Sequence, residues 1–343
     1  MNNLPKIFIG TLAVLVAVFG LLLLTKHDVS KNILSSVTNT PSAPNSPLNI
    51  TYMRSQSYSG SSIAIEQTLD PGSNYNRYIA SFMSDGLREY AYLTVPNTQK
   101  PYGGFPVIIF NHGYQIPELY TPEGNYISYM DAIAKAGYII FKPDYRGNGK
   151  SDGQPGSTYY SPNYAIDDLN AIASIKKYSD TNPNKIGLWG HSMGGNITLR
   201  VSEISPDIKV AVIWGGAVGS YNDIIYNWAD KVSYKPAPED LYLRNLGLST
   251  LLAVNGTPTQ NPTFWNSIDP TFNLNYVKIP FQIHVGLADN QVPTSFSRNL
   301  YDKLISSKKY AEYYEYPGAN HDINQSFSPA MQRTIQFFDK YLK

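Results

Sequence analysis

The 343 residues contain no cysteine, which excludes disulfides, thiolate metal sites, iron–sulfur clusters and a cysteine nucleophile together. Charge is scarce as well: 27 Lys+Arg stand against 26 Asp+Glu, and charged residues make up only 15% of the chain. No basic excess exists to neutralise a phosphate backbone, so nucleic acid is not an expected partner. Any chemistry must run on hydroxyl, carboxylate, imidazole or amide groups, and no cofactor or metal is expected. What is abundant is tyrosine (28), glycine (25) and proline (24), the composition of a loop-rich globular protein.

The longest apolar run, IFIGTLAVLVAVFGLLLL at residues 7–24, would cross about 27 Å as a helix at ~1.5 Å per residue. It continues directly into Thr25-Lys26-His27-Asp28, without a small-x-small cleavage site, so residues 1–27 are expected to be an uncleaved membrane anchor, with a signal peptide as the alternative. Lys6 on one side and Lys26 and Lys31 on the other nearly balance, which leaves orientation open; the cysteine-free, charge-poor body favours export. The expectation is therefore a catalytic domain outside the cytoplasm, anchored by one helix, or secreted if the segment is removed. Residues 28–48, ending SSVTNTPSAPNSPL, read as a flexible tether, and the folded domain is expected over 49–343.

Within that domain, residues 61–95 alternate polar and apolar around Ser84-Asp85-Gly86, the pattern of an antiparallel hairpin. Short, wholly apolar runs follow at 107–110, 138–141, 186–189, 210–214 and 281–285, with a less pure one at 311–316. Helix-period segments lie between or after them at 127–136, 164–178, 196–202, 296–305 and 330–342. This alternation predicts an α/β fold with a mostly parallel central sheet and helices on both faces. Residues 217–275 interrupt the rhythm with Tyr221, Tyr226, Trp228, Tyr234, Trp265 and Phe272, and read as a small cap. Its aromatics either touch substrate or pack as a satellite cluster.

Directly after the run 186–189 stands Gly190-His191-Ser192-Met193-Gly194, a G-x-S-x-G sequence between a predicted strand and a predicted helix. The small residues Gly190 and Gly194 permit the sharp turn that lifts Ser192 above the sheet edge. A serine hydroxyl needs a neutral imidazole to accept its proton. Of five histidines, His27 abuts the apolar run, His191 sits beside the serine with its ring aimed away, and His112 and His284 lie in or next to apolar strands. His321, in the polar loop after the last strand, is the expected base. Asp289, in the loop after 281–285, is the expected carboxylate orienting it; Asp322 is a poorer fit because its backbone turns it away from His321. The order Ser192, Asp289, His321 is that of α/β-hydrolases. Oxyanion donors are expected from the N–H of Met193 and from that of Tyr114, with Gly113 the alternative.

The segments VIIFNHGY (107–114), DYRGNGKSDG (144–153), DDLNAIASIKKY (167–178), NKIGLWGHSMGGNITLRV (184–201), HVGLADNQVP (284–293) and GANHDI (318–323) together resemble the α/β-hydrolase fold. More narrowly they resemble the catalytic domain of the prolyl oligopeptidase family of serine peptidases and the dienelactone-hydrolase-like esterases. The resemblance implies a serine hydrolase acting on peptide or ester bonds, with a peptidase favoured and a carboxylesterase, a lipase-like enzyme or an acyltransferase as alternatives. A catalytically idle binding module is disfavoured because all three triad residues are intact. The 58 positions from 49 to 106 are too few for the large propeller of prolyl oligopeptidases, so size filtering of peptides is not expected. Relatives of the dienelactone type use a cysteine nucleophile, absent here, and Ser192 argues against dehalogenase and epoxide-hydrolase chemistry. Segment 144–153 reads as a structural loop tied down by Arg146.

Overall fold

The computed structural model describes residues 46–236 and 238–343. The apolar run 7–24 and most of the tether lie outside the described residues; among the described residues no helix is long and apolar enough to cross a membrane. The tether's last residues are packed rather than free: Leu48 joins the core, and Asn49 caps a short helix, α1 (Ile50–Ser55), by accepting from the Tyr52 N–H at 2.9 Å.

A single nine-stranded sheet organises everything else. Its strands are β1 (Ala64–Leu69), β2 (Tyr75–Ser84), β3 (Leu87–Pro96), β4 (Phe105–Asn111), β5 (Ile139–Pro143), β6 (Thr181–His191), β7 (Ile208–Trp214), β8 (Phe281–Gly286) and β9 (Ala311–Tyr316), in the order β1-β2-β3-β5-β4-β6-β7-β8-β9. The expected hairpin is β2–β3, turning at Asp85-Gly86, with Asp85 in the left-handed region at φ 50°. It joins the sheet antiparallel through β3 and β5, and every pair from β5 to β9 is parallel.

The continuous apolar runs are explained by burial on both faces, since successive side chains of a strand point to opposite sides. Val107 and Ile109 enter one core with Leu188, Ala211 and Ile213; Ile108 and Phe110 enter the other with Trp189, Val212 and Trp214. The second core is closed by α2 (Ile127–Lys135) and α8 (Phe327–Leu342), which contribute Met130, Ile133, Phe337 and Phe338. The first is closed by α3 (Asn163–Ile175), α4 (Met193–Ile204) and α7 (Thr294–Ser306). Residues 217–275 form the expected insertion, carrying α5 (Pro238–Asn255) and α6 (Pro262–Ile268).

This strand order fixes where a site can be. The sequence of connections reverses at β4, which lies between β5 and β6, and in parallel sheets the crevice beyond the carboxyl ends at such a reversal is open. The residues that leave β4 and β6 there are His112-Gly113-Tyr114 and Ser192.

Candidate active site

Ser192 joins β6 to α4 with φ 54° and ψ −119°, a backbone conformation that costs a non-glycine residue about 1–3 kcal/mol. Three hydrogen bonds impose it: the Ser192 N–H donates to Trp214 O at 3.1 Å, and Ser192 O accepts from the N–H groups of Gly195 at 3.0 Å and Ala217 at 2.9 Å. The turn is possible only with glycine on both sides. A Cβ at Gly194 would lie 1.9 Å from Asn111 O, and one at Gly190 would lie 2.3 Å from Thr198 Oγ1. Met193 begins α4, so its N–H belongs to the first turn and has no partner within the helix.

The loops after β8 and β9 bring Asp289 and His321 together. His321 Nδ1 lies 2.7 Å from Asp289 Oδ2, and both side chains are almost wholly shielded from solvent. The other carboxylate oxygen, Oδ1, accepts from the backbone N–H groups of Gln291 at 2.8 Å and Val292 at 2.9 Å, so the acid cannot swing. With Nδ1 committed to Asp289, Nε2 of a neutral His321 is the free acceptor. Asp322 turns away, as the sequence implied, and lies with Oδ1 3.6 Å from His191 Nε2.

The loop after β4 is held by a residue the sequence did not single out. Tyr126 Oη accepts from the Gly113 N–H at 3.0 Å and lies 2.8 Å from His191 Nδ1, while His191 Nε2 lies 3.2 Å from His321 O. A carbonyl only accepts, so the proton sits on His191 Nε2, and Tyr126 donates to Nδ1. The result is one directional chain from the β4 loop through the elbow to the loop bearing His321. Burial, and then the neighbouring His321, hold the His191 pKa well below the usual imidazole range, which keeps this chain neutral. Its geometry is imposed at a cost, because Asn125 and Tyr126 both lie in the left-handed region, at φ 44° and 58°. A single Cβ placed on Gly113 would meet Tyr126 Oη at 2.6 Å and Ser192 Cβ at 3.1 Å, so phenol, loop and serine share one small space. Because the Gly113 N–H is committed to Tyr126, the alternative oxyanion donor of the sequence reading is turned elsewhere.

The other two histidines of the described residues, His284 and His112, are structural. His284 bonds Tyr316 Oη and Gln282 Oε1, and burial lowers its pKa to about 3. His112 stacks on Tyr145 with its Nδ1 2.7 Å from Gly113 O. Arg146 ties the 144–153 loop to Asp167, with Nε 2.9 Å and 3.0 Å from the two carboxylate oxygens. Asn111, at the end of β4, bonds Asp168, whose pKa burial raises to about 7. Among the described residues no group of three or more His, Asp or Glu side chains is arranged to hold a metal ion.

Ser192 and His321 open into a cavity of about 780 Å³ shared with Tyr114, Tyr126, Met193 and the cap. The cap aromatics divide between the two roles considered. Tyr221 and Trp265 are buried against each other; Trp228 and Tyr234 line the cavity; Tyr226 and Phe272 are half-exposed. Trp228 Nε1 donates to Gln291 O at 2.7 Å and the Tyr234 N–H to Asn290 O at 3.0 Å, which fastens the cap to the loop bearing Asp289.

Two family models match the chain: "Serine aminopeptidase, S33" over residues 107–247 and "Prolyl oligopeptidase family" over residues 246–343. A relative described as an uncharacterized peptidase, YtmA of Bacillus subtilis (strain 168), is 24% identical over 266 residues, 77% of this chain and 92% of YtmA. Among solved structures, acetyl xylan esterase 1 from Thermoanaerobacterium sp. JW/SL YS485 superposes with a TM-score of 0.61 at 19% identity, over 84% of this chain and 90% of the esterase. The acylaminoacyl peptidase of Pyrococcus horikoshii superposes with a TM-score of 0.60 at 20% identity, over 79% of this chain and 42% of the peptidase. With strand order and superpositions in agreement, the chain has the α/β-hydrolase fold, and its consecutive halves from residue 107 onward are similar to the serine aminopeptidase and prolyl oligopeptidase families.

Proposed function

We propose that the protein cleaves acyl bonds through a covalent acyl-enzyme on Ser192, with peptide or aminoacyl amides as the favoured substrates. The observation that carries this reading is the 2.7 Å Asp289–His321 hydrogen bond, in the cavity wall that also holds the strained Ser192. In this reading His321 Nε2 takes the Ser192 proton as Oγ attacks the scissile carbonyl, and Asp289 stabilises the imidazolium that forms. The negative oxygen of the tetrahedral intermediate is received by the N–H groups of Met193 and Tyr114. His321 then returns the proton to the leaving group, and water repeats the sequence to release the acid.

Peptidase family models across residues 107–343 support amide cleavage. An esterase is the second reading, favoured by the superposition that takes in 90% of acetyl xylan esterase 1. The ratio of kcat/KM for p-nitrophenyl acyl esters to that for aminoacyl and peptidyl naphthylamides, with Ser192→Ala as the blank, decides between them. Amides cleaved within about a hundredfold of the esters, roughly 3 kcal/mol, establish the peptidase; ester turnover without amide turnover establishes the esterase.

A further inference from the structure

The cap end of the cavity holds a polar cluster that the acyl chemistry does not use. Arg244, on α5, lines the cavity with its guanidinium carbon 4.9 Å from the Trp228 ring centroid, and its Nη2 donates to Ile224 O at 3.2 Å. A guanidinium carries five N–H donors, and its contacts with Ile224 O and the Tyr160 hydroxyl leave others to spare. No carboxylate pairs with Arg244 among the described residues. In the wall of the same cavity, Thr158 is 2% exposed and its hydroxyl has no hydrogen-bond partner. The neighbouring Tyr160 hydroxyl, also buried, is met by the Arg244 guanidinium itself. Burial raises the Tyr159 and Tyr160 phenols, and the Arg244 charge opposes it, which places the cation among them. A buried hydroxyl without a partner, in a wall shared with a guanidinium that keeps donors to spare, is a costly arrangement unless a ligand completes it.

The charges of the cavity sit on different walls, the anions on the loops after the strands and the cations on the insertion. Asp322 lies at the catalytic end, against His191, and Glu118 is on the exposed rim. The second cation lining the cavity, Lys235, is occupied by the carbonyls of Ala229 at 2.6 Å and Val232 at 3.2 Å. The leaving group of an acyl transfer departs beside the imidazole that protonates it, which here is the end where Asp322 would repel an anion. The acyl chain is left to occupy the end where Arg244 and Thr158 wait.

We infer that Arg244 and Thr158 form an anion subsite for the far end of the acyl group, so that the substrate class is an acyl compound carrying a free carboxylate remote from the scissile carbonyl. The inference rests on the acyl-enzyme reading above. It is tested with p-nitrophenyl monoesters of straight-chain dicarboxylic acids of increasing length, each paired with the ester whose distal carboxylate is methyl-capped. The protein is expected to prefer the free carboxylate by about tenfold or more in kcat/KM at one chain length, the effect of a charge-assisted hydrogen bond. In Arg244→Met that ratio should fall to about one, and in Thr158→Val to an intermediate value. A ratio near one at every length in the unaltered protein, or an unchanged ratio in Arg244→Met, overturns the subsite. Calorimetric binding of monomethyl adipate and its longer homologues reads the subsite without turnover. Binding to the unaltered protein that weakens about tenfold in Arg244→Met supports the subsite even if no ester is hydrolysed, whereas no binding at any length overturns it. If Ser192 also resists a fluorophosphonate, the acyl-enzyme reading has failed on its own.

Discussion

At the carboxyl edge of the sheet, the groups around Ser192 are held by short-range covalent logic and by specific partners. The elbow backbone is pinned by three hydrogen bonds, Asp289 by two N–H groups and an imidazole, and the β4 loop by Tyr126. Across the cavity, residues 217–275 bring aromatic surface, a stacked guanidinium and exposed side chains such as Tyr242 and Leu246. The edge is rigid and chemically determinate, as acyl chemistry requires of groups that must meet a transition state. The insertion is tied to that edge through Trp228 and Tyr234, which bond the loop after Asp289. In the proposed reading, reaction type and substrate choice are separated in space: strand ends carry the first, an insertion the second.

Substitutions on the two sides should therefore fail differently. Tyr126→Phe orphans the Gly113 N–H and His191 Nδ1 without touching Ser192, His321 or Asp289. We expect kcat to fall about 10- to 100-fold with KM within about twofold, since the oxyanion loop loses its tether but the cap pocket stays. A larger change in KM than in kcat would remove Tyr126 from the positioning role.

The contrast in burial has a pH signature. His284, beneath the edge, has its pKa lowered by burial to about 3, against about 6.5 in an unfolded chain. Below pH 6.5 the unfolded state binds a proton the folded state refuses, so this group's contribution is complete above pH 6.5 and is lost as pH falls towards 3. Between pH 6.5 and 5 the loss is about 2 kcal/mol. Urea titrations at the two pH values should show His284→Gln losing about that much less than the unaltered protein. Equal losses would mean that His284 already titrates alike in both states. Trp228→Ala, which removes no titrating group, should leave the slope as it is.

On the cap side, Trp228→Ala removes both an apolar wall and the bond to Gln291 O. Michaelis kinetics should show KM rising about tenfold, roughly 1.4 kcal/mol, with kcat within a fewfold. A kcat loss as large as that of Tyr126→Phe would erase the distinction between edge and cap.

The same division explains what could be read from the sequence. The core strands were legible because burial on both faces leaves unbroken apolar runs; Ser192 and Asp289 follow such runs closely, whereas His321 follows the mixed, half-buried β9 and was singled out by elimination among the histidines. β1 was not, since five of its six residues are exposed and it has no buried face to announce it. The first half of β6, Thr181–Lys185, hides behind Asn and Pro and owes its place to pairing with Phe105 of β4. Tyr126 left no local signal either: it acts by meeting His191, 65 positions away, and it sits in a left-handed turn without glycine. Arg244 and Thr158 come to line one cavity only in the folded chain, which no periodicity encodes.

The central claim is that Ser192 is a nucleophile made reactive by His321. A fluorophosphonate probe, with the adduct located by mass spectrometry of the digested protein, measures that reactivity without any assumption about substrate. The account predicts a single stoichiometric adduct on Ser192, none in Ser192→Ala, and labelling slowed by several orders of magnitude in a folded His321→Ala variant. An intact, folded protein that takes up no probe, or labelling on Ser192 at an unchanged rate without His321, would contradict it.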